Sequence, residues 1–170
     1  MSPKLILVNG PCGVGKTTFA KSLQPEIPQS LLIEGDELRR WFEEHPVDRF
    51  ASAKRLTELI IQIANAQLKA GHTVIFDKTI PFDGVVEQIC DEVGRDNVIE
   101  LVLTLPESEI LQRVEARGEY NDMFTPEKVQ QFINYFENYT SDAKHTITVD
   151  MSEPDLTGVM DQINNKITLT

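Results

Sequence analysis

Short apolar runs alternate along the chain with longer segments in which apolar residues recur at helical spacing. Apolar runs bounded by turn residues are typical of buried strands, and the longer period is typical of amphipathic helices. The predicted strands are Lys4–Asn9, Leu31–Ile33, Thr73–Phe76, Val98–Leu105 and Thr146–Val149. The predicted helices are Lys16–Leu23, Asp36–Glu44, Ala53–Ala70, Phe82–Val93, Glu107–Arg117, Thr125 to about Tyr139, and Leu156–Lys166. Strands that alternate with helices predict an α/β fold, with a parallel sheet covered on both faces.

The length of 170 residues predicts a single domain, residues 1–170, with a core of its own. Apolar residues make up 41% of the chain and charged residues 25%, which argues against intrinsic disorder. The longest apolar runs, such as Leu5–Val8, are too short to span a bilayer, and the first residues lack the features of a signal peptide. We therefore expect a cytoplasmic protein with no membrane partner.

The balance of charges restricts the partners further. Asp and Glu number 27 against 16 Lys and Arg, so the formal net charge is −11. This charge repels nucleic acid at long range, and we expect no extended nucleic-acid partner. The two cysteines are too few for a disulfide framework or a four-cysteine zinc site, as is usual in a reducing compartment. The oligomeric state is left open.

The segment after the first predicted strand matches the phosphate-loop (Walker A) pattern G-x-x-x-x-G-K-[ST] in full. It consists of Gly10, Pro11, Cys12, Gly13, Val14, Gly15, Lys16 and Thr17. Its glycines let successive N–H groups wrap a phosphate, and the following helix adds the partial positive charge of its N-terminus. The pattern predicts that Lys16 reaches the β- and γ-phosphates, that Thr17 binds Mg²⁺ and that Thr18 donates to the α-phosphate. ATP and Mg²⁺ are the expected cofactors.

Two other nucleotide sites fit the sequence less well. Glu34 and Asp36 lie near the end of the second predicted strand, where a dinucleotide-binding site carries a ribose-binding acid. The loop lacks the third glycine of G-x-G-x-x-G, however, and Lys16-Thr17 suits a triphosphate with Mg²⁺. No Asn-Lys-x-Asp motif is present to recognise guanine, which argues against a GTPase.

Carboxylates follow two other predicted strands. Asp77 ends the third strand beside the phosphate loop, where it can hold Mg²⁺ directly or through water, and Thr79 serves either the substrate or the local structure. Asp36 and Arg39 are three residues apart and share one face of the next helix. A kinase needs a carboxylate that accepts the proton of the attacking hydroxyl and a cation that holds the acceptor. These four residues form the predicted substrate site, although Asp36 as a helix cap and Arg39 as a solvated residue remain an alternative.

Arg113 and Arg117 are four residues apart on the helix after the fourth strand and share a face. They are predicted to stabilise charge on the transferring phosphoryl group, a large effect in phosphoryl transfer. An ordinary salt bridge from Arg113 to Glu109 is the alternative. The polar segment around residues 113–125 is the predicted lid.

The chain resembles small P-loop kinases of the group that includes polynucleotide 5′-hydroxyl kinases, chloramphenicol phosphotransferase, zeta-toxin-type kinases and gluconate kinases. The motifs that carry the resemblance are GPCGVGKTT (10–18), EGDELRR (34–40), VIFDKT (74–79) and LQRVEARG (111–118). The resemblance implies an AAA-type P-loop kinase-like ATPase domain with a five-stranded parallel sheet in the order 2-3-1-4-5. It also implies Asp36 as the base, Arg39 as an acceptor-site residue, and Arg113 and Arg117 as lid arginines. Lys78 departs from the pattern, since related sequences often carry a small or neutral residue there.

The motifs together predict an ATP- and Mg²⁺-dependent kinase that phosphorylates a hydroxyl group of a small-molecule acceptor. A polynucleotide 5′-hydroxyl kinase is one alternative, favoured by the spacing of Asp36 and Arg39 and opposed by the net charge of −11. The other is an ATP-binding regulatory protein with weak ATPase activity. Phosphate loop and fold are shared by many enzymes, so they do not identify the acceptor.

Overall fold

The computed structural model of the protein describes residues 2–41, 49–118 and 125–168. The strands are β1 (Leu5–Asn9), β2 (Ser30–Glu34), β3 (Thr73–Asp77), β4 (Val98–Thr104) and β5 (His145–Asp150). The helices are α1 (Lys16–Leu23), α2 (Gly35–Arg40), α3 (Arg49–Lys69), α4 (Val85–Val93), α5 (Glu107–Ala116), α6 (Pro126–Glu137) and α7 (Leu156–Thr168). Short 3₁₀ turns at Gln24–Glu26 and Arg95–Asn97 precede β2 and β4.

The strands form one sheet in the order β2-β3-β1-β4-β5, and every neighbouring pair is parallel. This confirms the predicted fold class and strand order. β1 lies at the centre, where every one of its residues is buried, as expected for a continuous apolar run covered on both faces. A single domain over residues 1–170 stays a prediction.

Alternate residues of the strands face two separate helical layers. On one face, Ile6 and Val8 pack in a cluster with α1 and α7. On the other face, Leu5 and Leu7 pack in a cluster with α3 and α4. A third cluster joins α5 to α6 through Ile110, Val114, Val129 and Ile133. The two large clusters cover the two faces of the sheet, and the third lies beside the loop that follows β1.

Several helix boundaries differ from the sequence-based prediction by one to four residues, and one lies beyond the description. The longest helix, α3, begins at Arg49 rather than at Ala53. α4 begins at Val85 rather than at Phe82, because Gly84 before it has φ +76°, outside the helical region. α2 is described to Arg40, and the rest of the predicted Asp36–Glu44 helix extends into residues 42–48, outside the described part of the chain. Among the described residues, no helix combines the length and apolar character needed to cross a membrane.

The register of the sheet places three chain segments side by side at its carboxyl edge. Asp77 of β3 lies opposite Val8 of β1 and opposite Glu34 of β2. The residues that follow these positions are therefore neighbours in space although they are distant in sequence. This edge carries the loop after β1, the start of α2 and the segment after β3.

Candidate active site

The loop between β1 and α1 wraps the N-terminus of α1 and packs directly against α5. Gly13 has φ +82°, and a Cβ atom there would lie 2.6 Å from Cγ2 of Val114. Both the backbone conformation and the close approach of the helix therefore require glycine at this position. Within the loop, the Lys16 ammonium donates a hydrogen bond to the Pro11 carbonyl oxygen over 2.9 Å.

Asn9 fastens the start of the loop to the segment after β3. Its side-chain oxygen accepts hydrogen bonds from the backbone N–H groups of Gly10 (2.9 Å) and Ile80 (2.8 Å). Its amide nitrogen donates to Oε1 of Glu100 over 2.8 Å, and both side chains are fully buried. Asn9 is not among the predicted site residues, although a polar residue at the end of an apolar strand was a visible signal.

Thr17 and Asp77 meet across the site. The Thr17 hydroxyl donates a hydrogen bond to Oδ2 of Asp77, a carboxylate that is only 5% exposed. Burial raises the pKa of Asp77, and the Thr17 hydrogen bond and the Lys16 charge oppose that rise. A hydroxyl and a carboxylate in contact are the oxygen donors that Mg²⁺ uses beside nucleotide phosphates. These two residues therefore fit the predicted metal site. Elsewhere, the described residues contain no cluster of three or more His, Cys, Asp or Glu side chains suited to a metal.

A cavity of about 310 Å³ opens at this edge of the sheet. Of the predicted site residues, it is lined by Cys12, Gly13, Gly15, Lys16, Thr17, Thr18, Asp36, Asp77, Thr79 and Arg117. Three further lining residues, Lys78, Val114 and Val129, are not among the predicted ones. The structure thus brings the phosphate loop, both predicted carboxylates and one lid arginine around one space.

Asp36 lies at the start of α2 and faces a cation from the segment after β3. The Lys78 ammonium donates a hydrogen bond to Oδ1 of Asp36. Partial loss of solvent at the cavity wall raises the pKa of Asp36, although its side chain is still 68% exposed. The charge and hydrogen bond of Lys78, with help from Arg39, bring that pKa below its usual value. Asp36 is therefore an ionised carboxylate at neutral pH. On the cavity wall beside it, the Thr79 hydroxyl lies 3.9 Å from Sγ of Cys12.

The two predicted lid arginines occupy different positions. Arg113 donates to the carbonyl oxygens of Val14 (3.2 Å) and Met151 (3.5 Å), so it supports the phosphate loop from outside the cavity lining. Its guanidinium also lies 3.9 Å from Glu109, the salt bridge weighed as the alternative. Arg117, four residues on, lines the cavity.

Four other predicted residues lie near the cavity without being part of its described lining. Gly10, Pro11 and Val14 are buried residues of the loop, and Arg39 lies half-buried on α2. The catalytic roles of Arg113 and Arg117 and the acceptor role of Arg39 stay predictions. The predicted lid around residues 113–125 is described only up to Gly118 and again from Thr125, and its central residues 119–124 lie outside the described residues.

The fold and the loop define a P-loop nucleotide-binding domain of the kinase-like type. The sequence model of a family described as AAA domain matches residues 5–139, more than half of the chain, so the chain belongs to that family. The resemblance to this group is confirmed. A comparison with curated proteins gives no match.

Solved structures show the same fold. The chain is 16% identical to a gluconokinase from Sinorhizobium meliloti 1021, with a TM-score of 0.66, covering 98% of this chain and 92% of that one. It is 19% identical to the tunicamycin resistance protein of Deinococcus radiodurans, with a TM-score of 0.69 and coverage of 99% and 97%. It is 23% identical to a chain of the Pnkp1/Rnl/Hen1 RNA repair complex, with a TM-score of 0.64 and coverage of 79% and 44%. At these identities the likeness concerns the fold alone.

Proposed function

We propose that this protein is an ATP-dependent kinase that transfers the γ-phosphoryl group to a hydroxyl group of a small-molecule acceptor. One observation carries the proposal. The phosphate loop, the Thr17–Asp77 pair and the ionised Asp36 carboxylate line the same cavity. Phosphoryl transfer needs these three components together, because its catalysis depends on positioning and on stabilising charge.

The phosphate loop supplies the nucleotide end of the site. Its N–H groups and the start of α1 bind the phosphates of ATP, and the Lys16 ammonium neutralises charge on the β- and γ-phosphates. Thr18 donates to the α-phosphate. Thr17 and Asp77 are the side chains that would hold Mg²⁺, which would add neutralisation of the phosphate charge.

Asp36 supplies the acceptor end. Its carboxylate orients the acceptor hydroxyl and accepts its proton as the new oxygen–phosphorus bond forms. The bond from the γ-phosphorus to the bridging oxygen breaks, ADP leaves, and the proton passes from Asp36 to solvent. Arg117, on the cavity wall, neutralises charge on the phosphoryl group during its transfer.

A phosphoryl-transfer screen tests the proposal. The panel combines γ-labelled ATP and Mg²⁺ with nucleosides, sugars, aminoglycosides, chloramphenicol-like alcohols and 5′-hydroxyl oligonucleotides. We expect label on one class of small acceptor. Tight ATP binding without transfer to any acceptor contradicts the proposal and favours the regulatory alternative.

Two pairs of variants connect the screen to the cavity. Lys16→Ala is expected to lose ATP binding, measured by calorimetry, while Lys21→Ala on the same helix, outside the cavity, is expected to keep it. Asp36→Asn is expected to keep ATP binding and to lower transfer by about 10²-fold to 10⁴-fold, the usual contribution of a general base. Glu37→Gln, the exposed neighbour that pairs with Arg40, is its matched control. Normal transfer by Asp36→Asn contradicts the role of Asp36.

The spacing of Asp36 and Arg39 on α2 favours a second candidate, a polynucleotide 5′-hydroxyl kinase. Both residues belong to this short helix after β2, as the resemblance to that family requires. The net charge of −11 opposes it, because a polyanionic acceptor is repelled at long range. Label that appears on oligonucleotides and on no small alcohol favours this second candidate.

A further inference from the structure

Lys78 follows β3 and is fastened to the sheet by its backbone. Its N–H group donates to the Val8 carbonyl oxygen over 3.2 Å, which extends the parallel pairing of β1 and β3 by one residue. The Cα atom of Lys78 is therefore fixed by the sheet. Its side chain is only 21% exposed, unusually little for lysine.

The aliphatic part of Lys78 crosses from β3 to α2 over Gly35. A Cβ atom at position 35 would lie 2.6 Å from Cδ of Lys78 and 3.0 Å from its Cβ. It would also lie 2.9 Å from the Asp77 carbonyl oxygen, so the backbones themselves are close. The absence of a side chain at Gly35 gives Lys78 a defined path to the next residue of α2.

That path ends at Asp36. The Lys78 ammonium donates to Oδ1 of Asp36, and both side chains line the cavity. The other cations that face Asp36 are Arg39 on its own helix and Lys16 of the phosphate loop. Lys78 has the largest effect of the three on the Asp36 carboxylate.

An exposed ion pair contributes little on average, because solvent screens it and two flexible side chains must be ordered. This pair differs on the lysine side, since the stem of Lys78 is enclosed and its backbone is fixed. Asp36, by contrast, is 68% exposed and would otherwise be free to rotate. The fixed Lys78 side chain therefore orders the exposed Asp36 carboxylate.

We propose that Lys78 is a positioning residue for phosphoryl transfer, holding the Asp36 carboxylate in one orientation at the acceptor end of the cavity. The inference rests on the proposed function, in which Asp36 is the base. A base acts only when its oxygen is within hydrogen-bond reach of the proton it removes, and a small displacement of that oxygen lowers the reaction rate strongly. The ammonium also lowers the pKa of Asp36, which favours the carboxylate over the carboxylic acid.

The test compares Lys78→Met, which keeps the length of the side chain and removes its charge, with Lys78→Arg, which keeps the charge. Transfer to the acceptor found in the screen is expected to lose kcat by about tenfold to a hundredfold in Lys78→Met, with the KM for ATP unchanged. Lys78→Arg is expected to recover part of that loss. Lys21→Met is the matched control, since Lys21 pairs with Glu34 over 2.9 Å on the outside of the same sheet edge.

Two readouts separate positioning from a general loss of structure. The acid limb of the pH–rate profile is expected to move to higher pH in Lys78→Met, because without the ammonium the pKa of Asp36 rises. In the Asp36→Asn background, Lys78→Met is expected to cause no further loss of kcat. Equal losses in the two backgrounds would overturn the inference.

A third readout does not depend on catalysis. Carboxyl ¹³C titration of the chain without acceptor, assigned with Asp36→Asn, is expected to show the Asp36 pKa below its usual value and higher in Lys78→Met. An unchanged Asp36 titration in Lys78→Met overturns the Lys78 inference even if the wild type is an active kinase. A shifted titration with no acceptor labelled by the wild type supports the Lys78–Asp36 contact and contradicts the proposed function.

Discussion

At the scale of single residues, the site contains two carboxylates whose environments differ. Burial raises the pKa of Asp77, and the Thr17 and Lys16 contacts only partly oppose that change. Loss of solvent also raises the pKa of Asp36, but the Lys78 ammonium opposes that rise, and the pKa lies below its usual value. Two neighbouring acids with pKa values moved in opposite directions are suited to different tasks. The position of Asp36 beside Lys78 and the contact of Asp77 with Thr17 are what separate the two carboxylates in the site, and their roles as base and metal ligand stay predictions.

The Cys12 thiol, in the phosphate loop, is predicted to react slowly with alkylating reagents. Burial raises its pKa, and the nearby Lys16 charge offsets this only in part, so at neutral pH the reactive thiolate is scarce. Alkylation by iodoacetamide, followed by mass spectrometry, is expected to be at least about tenfold slower than for glutathione at pH 7.5 and to accelerate as pH rises.

Saturating ATP with Mg²⁺ is expected to slow the alkylation of Cys12 further, because this side chain lines the cavity. Cys90 serves as the internal control. It is fully buried in the core and burial raises its pKa to about 11, so it should not react until the protein unfolds. Labelling of Cys12 faster than glutathione would contradict the environment described here.

At the scale of elements, a buried carboxylate connects β4 to the start of the phosphate loop and to the segment after α6. Glu100 of β4 is fully buried and accepts hydrogen bonds from Asn9, from the Tyr139 hydroxyl over 2.8 Å and from the Ser141 hydroxyl. Burial and the Glu100 charge raise the pKa of Tyr139, so its hydroxyl stays a donor at all physiological pH values. Asn9 in turn binds the first N–H group of the loop, so Glu100 acts on the loop through one intermediate.

Glu100→Ala is expected to lower the free energy of unfolding by about 3 kcal/mol, because it leaves buried donors on Asn9 and Tyr139 without an acceptor. Tyr139→Phe removes only one donor and is expected to cost about 1 kcal/mol. Urea denaturation measures both, with Glu153→Ala at an exposed position as the control. A loss below about 0.5 kcal/mol for Glu100→Ala would show that water replaces the lost acceptor.

At the scale of the whole molecule, the cavity and the chain differ in charge. The chain carries a net charge of −11, whereas the cavity lining contains three cations, Lys16, Lys78 and Arg117, and two carboxylates, Asp36 and Asp77. A triphosphate is small enough to be bound by the local cations. A long polyanion extends beyond them and meets the acidic surface.

Salt dependence is therefore expected to distinguish the two classes of acceptor. With saturating ATP, transfer to a neutral small alcohol should change less than about twofold between about 50 and 200 mM salt. A protein that binds an oligonucleotide through several phosphates loses affinity steeply over the same range. A steep loss of transfer with salt, seen on the oligonucleotide alone, would favour the polynucleotide kinase alternative.

The parts of this protein that could be predicted from the sequence are local or periodic. The phosphate loop lies within eight consecutive residues between a strand and a helix, and its chemistry follows from their order. The order of strands was implied by the family resemblance and confirmed by the sheet. Asp36 and Asp77 could be placed at the site because each ends or follows a strand, and parallel strands share one carboxyl edge.

The partners of these residues were decided by tertiary structure, because periodicity assigns a side chain to a face but not to a neighbour on another element. Lys78 meets Asp36 across 42 positions, and Glu100 meets Asn9 across 91. Arg113 and Arg117 share one helical face, yet packing of α5 against Gly13 directs Arg113 to the loop backbone and leaves Arg117 on the cavity wall. Contacts of this kind depend on the register of the sheet and on where a glycine lets two backbones approach, and neither is visible until the chain has folded.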